Sequence, residues 1–200
     1  MSCNKKKFNI LLGCTGSVAT IKLPVVIQTL IEKQFTEDAK FEIKVILTEN
    51  AKHFVDVRDI TPDVTFLTDA DEWNAWKQRG DPVLHIDLTK WADVFVIAPL
   101  DANSLAKMAQ GLCDNLLLCT ARAWNFNKPI FFCPAMNTFM WEHPITSEHV
   151  AKLVQWGYRE IPCISKTLMC GDTGNGAMAE VDTIVSHIVE YFRSSNKDEI

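Results

Sequence analysis

The sequence predicts a doubly wound α/β domain, a parallel sheet between two helical layers. Three observations predict it. Short apolar runs recur without polar alternation, the pattern of strands covered on both faces. Stretches with apolar residues at helical spacing lie between them. Each run ends at a turn-forming or small residue, where a strand hands over to a right-handed crossover.

Taken in order, the first strand is residues 8–12 (FNILL), which stops at Gly13. Residues 18–35 then carry helical spacing, and Pro24 is expected to break or kink that helix. The second strand, 41–47 (FEIKVIL), stops at Thr48, and the third, 93–98 (DVFVIA), stops at Pro99. Helices are predicted at 102–111 and 115–124, before a fourth strand at 129–133 (PIFFC) that stops at Pro134. A helix at 147–156, a weaker strand at 158–161 (YREI) and a last helix at 181–192 complete the series. The polar tail 194–200 is expected to fray. With no repeat, low-complexity tract or linker, a single domain over 1–200 is expected, ordered across 8–192 between short polar tails.

Composition narrows the function. The 200 residues are 48% hydrophobic and 22% charged, which supports a packed core and argues against disorder. A net charge of −5 argues against a general nucleic-acid binder, which needs a basic surplus. No apolar run reaches the roughly 18–20 residues of a membrane span, and 8–12 is too short for a signal-peptide core, so neither membrane nor secretion is expected. The seven cysteines, at 3, 14, 113, 119, 133, 163 and 170, form no CxxC pair, and the five histidines form no HExxH. Reduced thiols in a cytoplasmic protein, most of them small core residues, fit better than a disulfide scaffold or a metal site.

Ligands of such sheets bind beyond the carboxyl ends of the strands. The first of these ends reads Gly13-Cys14-Thr15-Gly16-Ser17-Val18-Ala19. Gly16 allows close approach, Ser17 can cap the next helix, and the hydroxyls add donors, which makes a plausible phosphate cradle. It is neither GxGxxG nor a P-loop. A turn lined by Ser and Thr in a short doubly wound domain leans toward FMN, as in flavodoxin-like sheets; the alternative is a tight turn with a capping serine. After the third strand, Asp101 or Asn103 can cap a helix.

Three further residues are candidates for chemistry. His85 lies in the mostly apolar stretch 82–88, as either a satisfied core residue or a general base. Asn137, after the fourth strand, is either a turn residue or an amide that both donates to and accepts from a substrate. Residues 169–180 (MCGDTGNGAMAE) hold three glycines in six positions, which forbid a helix and which no packing pattern demands. They read as a flexible flap with Cys170 at its entry, or as a mobile surface loop.

Five segments, GCTGSVA, DPVLHIDL, WADVFVIAPLDANSLAKMAQGLCDNLL, KPIFFCPAMNTFMWEHP and MCGDTGNGAMAE, together resemble the flavin-containing cysteine decarboxylases, in their order and approximate spacing. The resemblance spans about residues 8–192 and is closest to the branch acting on 4′-phosphopantothenoyl-L-cysteine. It implies a flavodoxin-like, Rossmann-like three-layer α/β/α fold, FMN as cofactor, and a homotrimer with the active site at a subunit contact. It implies that Gly16, Ser17 and Val18 hold the phosphate end of the flavin. Thr48, Asn50, Phe54, Asp101, Ala102, Asn103, Ser104 and Ala135 match its other flavin-contacting positions. His85 matches the essential histidine, Asn137 the substrate-fixing asparagine, and Cys170 the proton donor of the flap.

In that family the substrate's cysteine side chain is oxidised to a thioaldehyde, whose sulfur accepts the electrons released with CO₂ as an ene-thiolate. Hydride and proton return then give 4′-phosphopantetheine for coenzyme A biosynthesis. The resemblance implies that His85 assists the oxidation, Cys170 supplies the last proton and the flap excludes water. Two departures stand out: Thr89-Lys90 where the family commonly has Arg-Arg, and Asp101 where related sequences often have Ser. Lysine keeps the charge but loses the bidentate fork, and an acid at 101 adds negative charge near the cofactor. Two other readings compete: a regulatory subunit that inhibits a protein phosphatase, and a simple flavin electron carrier. The presence of His85, Asn137 and Cys170 together favours the enzyme.

Overall fold

A computed structural model describes residues 6–33, 39–167 and 173–195. Its centre is a parallel sheet of six strands: β1 (Lys6–Cys14), β2 (Ala39–Leu47), β3 (Thr65–Leu67), β4 (Val94–Leu100), β5 (Ile130–Pro134) and β6 (Arg159–Glu160). Their spatial order is β3-β2-β1-β4-β5-β6. Without the three-residue edge strand β3, the other five run 2-1-3-4-5 in chain order, which is the flavodoxin-like arrangement.

The continuous apolar runs follow from the layers. Along β1, Ile10, Leu12 and Cys14 enter one core while Leu11 enters the other. The first core packs under α1 (Leu23–Glu32) and α8 (Val181–Ser195), where Phe8 and Phe41 stack on Phe192 with ring centroids 4.6 and 5.6 Å away. The second packs under α3 (Leu84–Trp91), α4 (Ala102–Gln110), α5 (Leu116–Arg122) and α7 (Pro144–Gln155), around the fully buried Phe95 and Phe132. Both faces of every central strand are therefore covered, so no strand position between them needs a polar residue.

Several expectations need correction. Pro24 does not break the first helix. Residues Val18–Lys22 form a 3-10 turn, and Pro24 falls in the first turn of α1, where its missing N–H has no partner to lose. Phe35, the expected end of that helix, lies outside the described residues. The fifth apolar run is a strand only at Arg159–Glu160, and α7 begins earlier than expected, at Pro144. Of the five cysteines described, fewer than half are core: Cys14 and Cys133 are buried, Cys113 is exposed, and Cys119 and Cys163 lie between.

The sequence reading left β3, α2 (Asp69–Ala75), α3, α6 (Thr138–Glu142) and β7 (Ile164–Thr167) unassigned, and it read as flap or loop the residues of β8 (Thr173–Ala177), which pair with β7 in a hairpin. No helix among the described residues is long and apolar enough to cross a membrane.

Candidate functional site

Strand order reverses between β1 and β4, and the crevice beyond their carboxyl ends is where a doubly wound sheet holds its ligand. Four post-strand segments meet there. Thr15, fully buried, is the central tie: its N and Oγ1 both donate to Pro99 O, at 3.2 and 2.9 Å, and Oγ1 accepts from Asp101 N at 2.7 Å. Thr48 N donates to Cys14 O at 3.1 Å, and Ala135 N to Leu100 O at 2.9 Å. The loops after β1, β2, β4 and β5 thus form one surface.

Gly16 stands at their junction. A Cβ there would lie 2.6 Å from Asn50 Cβ and 3.2 Å from Asp101 Oδ2, so the three residues converge this closely only because position 16 has no side chain. Ser17 Oγ accepts from Ala19 N at 3.4 Å and caps the 3-10 turn. Asp101 Oδ1 accepts from Ser104 N at 2.6 Å, so of the two residues able to cap α4, Asp101 does it.

Two cavities flank the junction. One, of about 360 Å³, is lined by Ser17, Val18, Ala135, Asn137 and the hairpin residues Gly176 and Ala177. Lys22 and Lys166 stand among its walls, and both reach Glu180, at 3.4 and 3.0 Å. Those contacts, the hydrogen bond from Lys166 first, hold the Glu180 carboxyl below the ordinary range. The second cavity, of about 190 Å³, is polar. Thr48, Asn50, Asp101, Asn103 and Ser104 line it together with Glu49, Asp69 and Asp114. Lys107 also faces it, paired with Asp114 at 2.6 Å.

The hairpin closes one side of the larger cavity through packing that the sequence reading did not foresee. Met136 N donates to Gly176 O at 2.9 Å, and a Cβ on Gly176 would press into the Met136 carbonyl. Gly176 also has φ +127, a conformation that side chains rarely adopt. A Cβ on Gly174 would lie 2.6 Å from Thr138 Cγ2. Packing therefore does demand two of the three glycines; Gly171 and Cys170 lie outside the described residues.

The remaining candidates stand apart from this junction. Phe54 lines a separate cavity of about 680 Å³ with Leu47 and Phe66. Ala102 opens α4 and packs toward the second core. His85, in the first turn of α3, lines neither flanking cavity and is not a core residue. Its Nδ1 lies 2.6 Å from Glu72 Oε1 on α2. Sequence reasoning missed Glu72, although a helix start was readable: Thr68 and Asp71 form a capping box, with Thr68 N and Oγ1 each donating to Asp71 Oδ2 at 2.7 Å.

Comparison with known proteins agrees with this geometry. A phosphopantothenoylcysteine decarboxylase of Mus musculus is 56% identical over 92% of this chain and 87% of its own length. One of Arabidopsis thaliana is 49% identical over 94% and 87%. Among solved structures, a mutant PPC decarboxylase complexed with pantothenoylaminoethenethiol superposes with a TM-score of 0.87, at 48% identity over 94% of this chain and 100% of that one. The FMN binding protein AtHal3 superposes at 0.84, with 49% identity over 94% and 98%. The Flavoprotein family model matches residues 1–193, and the chain belongs to that family.

Proposed function

We propose that this chain catalyses the FMN-dependent decarboxylation of 4′-phosphopantothenoyl-L-cysteine to 4′-phosphopantetheine, a step of coenzyme A biosynthesis. The observation that carries the reading is the convergence of four post-strand loops at Gly16, beside an apolar cavity that Asn137 lines. The relatives named for this activity match nearly the whole chain.

The residues present fit FMN. Gly16 lets the loops converge with no side chain between them, the polar cavity offers hydroxyl and amide groups, and the neighbouring cavity is largely apolar. Gly16, Ser17 and Val18 hold the phosphate end in this reading, and Thr48, Asn50, Phe54, Asp101, Ala102, Asn103, Ser104 and Ala135 the rest. Bound FMN would supply reversible two-electron chemistry, one way to give a saturated carbon the electron sink that CO₂ loss needs.

The chain's own residues do the remainder. Asn137 Oδ1 accepts from Phe139 N at 2.9 Å, which sets the amide's orientation at the cavity wall for a substrate carboxylate or amide. The hairpin, packed through Gly174 and Gly176, shields that cavity from water. His85 moves a proton at Nε2, and Cys170 donates one at Sγ.

The assembly proposed is a cytoplasmic homotrimer of one-domain chains, each site being completed across a subunit contact. Supporting this, His85 lines neither of the two flanking cavities, and large apolar side chains are exposed: Val18 and Ile21 at the cavity, and Phe139 (74%) and Met140 on α6.

The test is a visible spectrum of the purified protein followed by a CO₂ assay on 4′-phosphopantothenoyl-L-cysteine. Flavin absorbance and CO₂ release are expected. A chain that takes up no flavin when it is supplied in excess would overturn the reading.

A further inference from the structure

We infer that Glu72 is the positioning residue for His85: its carboxylate holds the imidazole by Nδ1 and leaves Nε2 as the nitrogen that meets the reacting groups. The inference deepens the proposed decarboxylation and rests on His85 acting in it.

The geometry is specific. Glu72 Oε1 and His85 Nδ1 are 2.6 Å apart, and the two side chains are only 16% and 25% exposed. That is the distance of a charge-assisted hydrogen bond. An ionised carboxylate only accepts, so the shared proton belongs to Nδ1. The neutral ring then carries its lone pair on Nε2, and the charged ring carries a transferable proton there. Among the described residues, Nε2 makes no hydrogen bond.

Stability alone does not account for the carboxylate. Its second oxygen, Oε2, is buried and has no hydrogen-bond partner among the described residues. An unmet buried acceptor costs stability, and a shorter or apolar side chain on α2 would avoid that cost. Cys119 on α5 also lies within the reach of this charge. Its thiol is pushed up to about 11, by burial first and then by Cys113, Glu72 and Asp69, so it keeps its proton, and that S–H is donated to Cys113 O at 3.2 Å rather than to Glu72.

The two helices are held by contacts independent of the pair. Asp69 Oδ1 accepts from Leu116 N at 2.7 Å, which ties the start of α2 to α5. Lys128 Nζ donates to Ala92 O at 2.7 Å and to Thr89 O and Lys90 O at 3.3 Å, which ties down the end of α3. The fold thus presents both helices in place, and the Glu72–His85 bond is left to fix the ring.

The test uses the full chain loaded with FMN and labelled with 15N at histidine, the His85 signals being assigned by their loss in His85→Asn. At a pH where the ring is neutral, the wild type is expected to show a pyrrole-type Nδ1 and a pyridine-type Nε2. Glu72→Gln can accept from Nδ1–H or donate to bare Nδ1, so it is expected to show both tautomers. Its kcat is expected to fall by about 10²-fold or more, as loss of an orienting carboxylate does elsewhere. KM and flavin content stay at wild-type values. A wild-type ring protonated on Nε2 alone would overturn the inference, as would a well-folded Glu72→Gln with wild-type kcat. If that variant does not fold, the wild-type tautomer decides. A wild type that shows the Nδ1–H tautomer yet releases no CO₂ would sink the decarboxylase reading and leave the positioning intact.

Discussion

Asp101 has two opposing effects at one position. Its Oδ1 caps α4 through Ser104 N, where a negative charge also suits the helix N-terminus. The same carboxylate adds to a cavity already lined by Glu49, Asp69 and Asp114, whose lysine is paired. Serine caps about as well without the charge. Asp101→Ser is therefore expected to keep thermal stability within about 0.5 kcal/mol and to bind FMN more tightly in a fluorescence titration. Asp101→Ala loses the cap and is expected to cost about 1 kcal/mol. Weaker FMN binding by the serine variant would show that the charge helps the cofactor. At this scale the sequence was half legible. Both Asp101 and Asn103 were readable as caps; the helix starts at Ala102, which leaves Asp101 at the cap and Asn103 inside the first turn. The partner of His85 was not readable, because Glu72 is thirteen positions away on another helix and only tertiary packing joins them.

Among elements, legibility followed burial. β1, β2, β4 and β5 announced themselves because both faces are covered and every position tends to be apolar. β3 has three residues at an edge, too few to show any period. β8 reads Thr-Gly-Asn-Gly-Ala, and its last four residues are poor strand formers that extend because the segment pairs with β7 and needs glycine's small size against Thr138 and Met136. α3 was hidden because its first turn mixes apolar residues with His85 and Asp87.

The edge strand β6 offers a pH test. Burial raises the Glu160 carboxyl above its ordinary range, so the folded chain holds that proton more tightly than the unfolded chain. The stability this lends is fully present below the unfolded carboxylate pKa and is lost as pH rises through the higher folded value. Glu160→Gln is expected to raise Tm at neutral pH and to lose that advantage below about pH 4, near the ordinary glutamate pKa. Equal Tm values for both proteins at neutral pH would show that the buried carboxylate costs nothing there.

For the whole molecule, the proposed trimer makes a claim that neither a residue nor an element can make alone. Asn137 lines the apolar cavity while His85 sits on α3, outside it. If one subunit supplies Asn137 and its neighbour supplies His85, two dead variants can repair each other. His85→Asn retains Asn137, and Asn137→Ala retains His85; each alone is expected to release no CO₂. Unfolded together in equal amounts and refolded with FMN, they assemble at random around a closed ring. A given site is whole when its own subunit is the first variant and its neighbour the second, which happens for about one site in four whatever the ring size. Activity near a quarter of wild type is expected, alongside a trimer mass by light scattering. Sites built within one chain would give no recovery at any mixing ratio, because every chain then carries one lesion in its own site. The yield also separates partial from complete exchange: variants mixed without unfolding, whose subunits stay in place, are expected to remain inactive.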